Sequence, residues 1–65
     1  MKVDELKIGA LYGDNDGVDM LYYVGGTGYL YNFVNAEYDD EEQEFIPTKD
    51  DRILTAREVN RLIEW

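Results

Sequence analysis

The chain has 65 residues and a mass of 7.6 kDa, room for one domain, and carries 15 Asp and Glu against 6 Lys and Arg, for a formal net charge of -9. That balance argues against direct binding of nucleic acid, which runs on basic side chains neutralising phosphates. With neither Cys nor His in the sequence, disulfide scaffolds, thiolate zinc sites, Cys or His nucleophiles and haem ligation are all excluded.

At 45% hydrophobic and 14% aromatic, the chain is too apolar for a charge-driven disordered tail. A domain of this size buries only about 60% of its unfolded surface. The six Tyr, two Phe and single Trp therefore have to supply much of the core, and self-association through an aromatic face (a homo-oligomer) is an open alternative. No apolar run approaches the roughly 20 residues needed to span a bilayer. The opening Met1-Lys2-Val3-Asp4-Glu5 lacks the apolar stretch of a secretory signal. The expectation is a cytoplasmic protein without a membrane partner.

In chain order, Lys7-Ile8-Gly9-Ala10-Leu11-Tyr12 reads as a first strand. Gly13-Asp14-Asn15-Asp16-Gly17 follows, with Asp16-Gly17 as a hairpin turn signal. Val18 to Val24 makes a second strand, with Val18, Met20, Tyr22 and Val24 on one face and Asp19, Leu21 and Tyr23 on the other. A turn over Gly25-Gly26-Thr27-Gly28 leads to a third strand from Tyr29 to Glu37. Both faces of that strand carry apolar groups, as in a small closed barrel.

Tyr38-Asp39-Asp40-Glu41-Glu42-Gln43-Glu44 reads as a polar loop and Phe45-Ile46-Pro47 as a short fourth strand, ended or held at an edge by its proline. Thr48-Lys49-Asp50-Asp51 turns once more. A terminal helix over about residues 55–64 is the best-specified element. Thr55 and Glu58 have the spacing of a capping box, Leu54 can staple onto Val59, and Ala56, Val59, Leu62 and Ile63 fall on one stripe.

Three motifs invite chemistry and do not carry it. Asp14-Asn15-Asp16-Gly17-Val18-Asp19 looks like a calcium loop, but the register that puts Gly17 at position six puts Tyr12 at position one and Tyr23 at position twelve. Gly25-Gly26-Thr27-Gly28 precedes a β-prone run, where a phosphate loop needs a helix. Paired carboxylates for hydrolysis need a cleft that fixes their separation, for which so short a chain has little volume. The expectation is a non-enzymatic domain with no catalytic residue, cofactor or metal.

The charge distribution is the informative feature. Residues 37–51 contain Glu37, Asp39, Asp40, Glu41, Glu42, Glu44, Asp50 and Asp51 against Lys49 alone, leaving seven net negative charges in about a quarter of the chain. The plainest explanation is a solvated loop that maintains solubility and discourages edge pairing; adaptation to high salt would predict a more uniform acidity. A sharper explanation is a phosphate-like surface offered to a basic, nucleic-acid-binding protein, whose Arg and Lys groove is built for a polyanion. The contact surface is then Asp39, Asp40, Glu41, Glu42 and Glu44, with Glu37, Asp50 and Asp51 at its margin and Tyr38 and Phe45 as apolar anchors. The alternative is a structural or assembly module binding through Tyr22, Tyr23, Tyr29 and Tyr31.

Leu6-Lys7-Ile8-Gly9-Ala10-Leu11-Tyr12, then Asp16-Gly17 and Leu21-Tyr22-Tyr23-Val24, is similar to short proteins common in tailed-phage genomes, and the order of elements resembles small SH3-like barrels. The resemblance covers most of the chain in generic turn-and-strand grammar and transfers no binding residue. It implies a phage-encoded accessory protein, a class that includes acidic inhibitors of host defence or transcription machinery. The combined expectation is a single domain over residues 1–65, mainly β (α+β): four or five strands in an SH3-like barrel or meander, with the C-terminal helix packed across it.

Overall fold

The computed structural model describes residues 1–14 and 19–65. Five antiparallel strands form one sheet: β1 Leu11–Gly13, β2 Met20–Thr27, β3 Leu30–Asp39, β4 Glu44–Thr55 and β5 Ile63–Glu64, in the order β4-β3-β2-β1-β5. One short helix, α1 Ala56–Val59, lies between β4 and β5. The fold is mainly β, as the alternation of apolar residues implies. The sheet is not closed. β5 has only two residues and pairs with β1, so nothing bridges to the far edge at β4. In place of the expected barrel there is an open five-stranded sheet.

The first expected strand is cut short at its glycine. Gly9 sits at φ 87°, a conformation closed to most residues, and Ala10 N–H bonds to the Lys7 carbonyl at 3.0 Å. The Lys7–Ala10 turn hooks onto β2 through Gly9 N–H to the Tyr23 carbonyl, 2.8 Å, and only Leu11–Gly13 extends as strand. The expected Asp16-Gly17 turn, and Val18 as the start of the second strand, lie outside the described residues. The chain ends flanking that segment meet, with Asp14 N–H donating to the Asp19 carbonyl at 2.9 Å.

β2 runs through two of the glycines expected to form the next turn. A register shift between Tyr23 and Gly25, where Gly25 has φ 130°, bends the strand without ending it. The turn itself is two residues, Gly28 (φ 61°) and Tyr29.

The acidic stretch is not a long loop. β3 continues to Asp39, a four-residue turn follows, and β4 begins at Glu44. Nor does β4 stop at Pro47. It continues for 12 residues, and the expected turn over Thr48–Asp51 is an irregularity within it. Val34 pairs with Asp51 and Ala36 with Pro47, so three residues of β4 stand opposite Asn35. Inside that bulge the Thr48 hydroxyl accepts the Asp50 N–H at 3.2 Å. β4 is a sheet edge, where proline's missing N–H costs no ladder bond.

The core lies on one face of the sheet. Phe33, with no exposed surface, is ringed by Tyr12, Leu21, Tyr23, Leu54, Val59 and Leu62, all buried. Tyr12 meets it edge-on with centroids 6.4 Å apart, and Tyr23 lies at 5.1 Å. Met1, Val3 and Leu6 pack against this cluster from the N-terminal segment, and the Met1 ammonium donates to the Asn60 carbonyl at 3.0 Å.

The capping box forms as its spacing predicts. Glu58 N–H reaches the Thr55 hydroxyl at 3.3 Å and Thr55 N–H reaches Glu58 Oε1 at 3.0 Å. The helix nevertheless ends at Val59 instead of residue 64. Arg61 and Leu62 bond three residues back, to Glu58 and Val59, which tightens the turn and releases the chain into β5. Val59 and Leu62 are buried, but Ala56 and Ile63 are exposed. Ile63, the last residue of the apparent helical stripe, belongs to a strand that pairs Gly13 with Ile63 and Tyr12 with Glu64.

Hydrogen bonds from the Thr55 backbone and hydroxyl hold the Glu58 carboxyl below its usual 4.5, with smaller pulls from Arg52 and Arg61. A depressed folded-state value stabilises the fold above about pH 4.5, and that contribution is lost as pH falls through the lower folded value. Glu58→Gln should thus flatten the acid limb of a thermal-melt series below that pH, and Thr55→Ala should cost about 1 kcal/mol at neutral pH. An unchanged acid limb in Glu58→Gln would refute the cap's role.

Candidate functional site

The β3–β4 hairpin gathers the acidic residues, and its turn is tied down from within. Gln43 N–H donates to the Asp39 carbonyl at 2.7 Å, and Glu41 N–H donates to Asp39 Oδ1 at 2.9 Å. Gln43 adopts φ 56°, the left-handed conformation that reverses the chain into Glu44. Asp39 therefore has two roles, carrying charge and capping the turn.

Asp40, Glu41, Glu42 and Glu44 are exposed around this tip, while Asp39 is half-buried. Asp39 pairs with Glu44, so two like charges face each other across the ladder, a destabilising arrangement on its own. Glu37 lies two residues back on the same face of β3, about 6.6 Å from Asp39 along the strand. Asp50 and Asp51 do not join this cluster. They sit at the β4 bulge, up to about 20 Å along the strand from Glu44, so the acids are densest at the tip. Among the described residues, the ion pair present is Arg52 with Asp19 at 3.6 Å, and no hairpin carboxylate has one.

The two expected aromatic anchors lie on the hairpin's other face. Tyr38 pairs with Phe45, their ring centroids 5.3 Å apart. Phe45 also meets the Trp65 ring edge-on at 6.0 Å, and its carbonyl accepts the Tyr22 hydroxyl. Tyr38 and Trp65 remain exposed. Trp65, the last residue, and Tyr22, from β2, thus brace the base of the acidic arm. Neither was singled out for this from the sequence: their ring and hydroxyl partners are remote in the chain and leave no local pattern.

Tyr22, Tyr23, Tyr29 and Tyr31 do not form one surface. Tyr23 is buried beside Phe33, Tyr22 points to the opposite face, and Tyr31 pairs with Leu54 on the core side. Tyr29 stands almost fully exposed at the β2–β3 turn.

Three concavities accompany the hairpin. One of about 330 Å³ is polar and lined by Arg52, Arg61, Glu58, Asp14 and core leucines. Glu58 there is held low, the wrong direction for a general acid near neutral pH. A smaller one of about 200 Å³ lies between Asp19, Asn35, Glu37 and Asp50. The third, about 310 Å³, is almost wholly apolar and lies on the sheet face away from the core, between Ile8, Tyr22, Val24, Val34 and Pro47. Among the described residues no group of three or more acidic, His or Cys side chains is placed to hold a metal, and no helix is long and apolar enough to cross a membrane.

Comparison with known proteins finds no matching family model, no matching curated protein and no matching solved structure.

Crowded carboxylates without cations repel one another, and salt screens that repulsion. Raising NaCl from roughly 0.01 to 0.1 M shortens the screening length from about 30 to about 10 Å, so the unfolding temperature should rise over that range. Asp40→Asn/Glu41→Gln/Glu42→Gln, which leaves the Asp39 cap in place, should melt higher at low salt and respond less to it. An equal salt response in calorimetry would show that the tip does not carry the repulsion.

Proposed function

We propose that this chain is a non-enzymatic, acidic protein-binding domain whose hairpin tip occupies the cationic groove of a nucleic-acid-binding protein. The observation that carries this reading is the tip itself: Asp39, Asp40, Glu41, Glu42 and Glu44 stand around a turn fixed by two backbone-anchored hydrogen bonds, and no cation of the chain pairs with them among the described residues. An array already ordered loses less conformational entropy on docking than a loose acidic segment. The mutual repulsion of its charges is relieved when a basic groove closes on it, and the concentrated field steers the encounter.

The likeness to small tailed-phage proteins supports a more specific form. The chain is then a phage-encoded inhibitor that acts in the host cytoplasm, imitating the charge of nucleic acid to block a host DNA-binding protein.

Capture from a host lysate over a salt series tests the proposal. The retained protein should be released by duplex DNA as well as by rising salt. Asp39→Asn/Asp40→Asn/Glu41→Gln/Glu42→Gln should weaken capture at least about tenfold, from four lost charge contacts. Capture that survives both DNA competition and the fourfold substitution would dismiss charge imitation.

A further inference from the structure

The apolar groove on the sheet's outer face is built, not incidental. Tyr22 and Val34 are cross-strand partners, so their side chains share that face. Gly9 N–H bonds to the Tyr23 carbonyl and draws the Lys7–Ala10 turn against β2. This brings Ile8 alongside Gly25, where an added Cβ would lie 3.9 Å from the Ile8 Cδ1. Pro47, from the acidic hairpin, forms the opposite wall. Ile8 and Val24 are 74% and 49% exposed, so the chain leaves this apolar surface open to solvent.

Charge selects the occupant. A second copy would bring two chains of charge -9 together with their acidic arms adjoining. A small polar metabolite would find scarcely any polar group to orient it. The hairpin supplying the Pro47 wall belongs to the segment with seven net negative charges. Asp51 pairs with Val34, so its carboxylate lies on the groove's own face, and Asp50 adjoins it in the bulge. Tyr22 lines the groove and also donates its hydroxyl to the Phe45 carbonyl, joining the groove to the arm that carries the acidic tip. The groove's face therefore carries Asp51 itself, while Glu37, Asp39 and Glu44 alternate to the other side of the hairpin.

We infer that this groove receives a single large apolar side chain of the basic partner, flanked in that partner's sequence by Lys or Arg that reach Asp51 and, in the adjoining bulge, Asp50. The inference rests on reading the hairpin as a docking surface for a basic protein and adds where the apolar anchor goes. Charge alone would accept any cationic surface; an apolar pocket beside it demands a particular side chain at a particular spacing, which is how such an interface gains specificity.

Short randomised peptides displayed and selected against the full chain test this. Enriched sequences should carry one Leu, Ile, Met or Phe with Lys or Arg nearby. Against Ile8→Ser/Val24→Thr, the apolar preference should vanish and the selected peptides should bind about tenfold more weakly or worse, while the Lys and Arg preference persists. Both positions lie outside the core, and Ile8→Ser alone gives the same reading should the double variant lose its wild-type circular dichroism. Sequences rich in Lys and Arg with no apolar position would overturn the groove and leave the hairpin reading standing. Apolar sequences without Lys or Arg would overturn both. A selection that enriches nothing counts against the groove alone, since the lysate capture tests the charges separately.

Discussion

Sixty-five residues supply one cover for a sheet that has two faces. The N-terminal segment, α1 and Leu62 all pack on the face that holds Phe33, and they enclose it completely. Burying a second face would need another layer, and the described residues form one. The other face is covered only in part. Trp65 and the base of the acidic arm shelter Phe45, while Ile8 and Val24 stay in water. The apolar groove lies on that partly covered face.

Strand β3 links the core to the acidic arm. β3 pairs with β2 and β4 and places Phe33 in the core, and the same strand continues outward to end at Asp39. The strands that bury the central ring therefore carry the carboxylates of the tip. Edge exposure is managed along the way: β4 presents Pro47, a bulge, Lys49, Asp50 and Asp51 on its open side, all features that discourage another strand from adding there. The three arginines lie beyond this region, from residue 52 onward. Arg52 is held by Asp19, and Arg52 and Arg61 both act on Glu58.

What could be read from the sequence was local. Thr55 and Glu58 sit three residues apart and bond each other whatever surrounds them, so the cap was legible. Pro47 announced an edge strand for the same kind of reason. The rest was settled by partners distant in the chain. Ile63 continues a helical stripe, yet pairing with Gly13 and the Trp65 N–H bond to the Leu11 carbonyl draw it into a strand. Thr48–Asp51 has turn composition, but it lies beside β3, whose ladder resumes at Asp51. Apolar residues on both faces of β3 implied enclosure by a barrel; one face meets the core and the other meets the groove and the arm. In the candidate site, the clustering of Asp39 to Glu44 was visible as a charge run, whereas its tie through Asp39 to the turn, and its bracing by Tyr22 and Trp65, required the fold.

The proposed docking surface depends on the carboxylates being held in place before any partner arrives. Backbone ¹⁵N relaxation of residues 39–44 in the isolated protein measures this most directly. Order parameters near those of the central strands, about 0.85, are what the Asp39-capped turn predicts. Values below about 0.6 confined to the tip would mean that the acids sample many arrangements, and the docking surface proposed here would not exist.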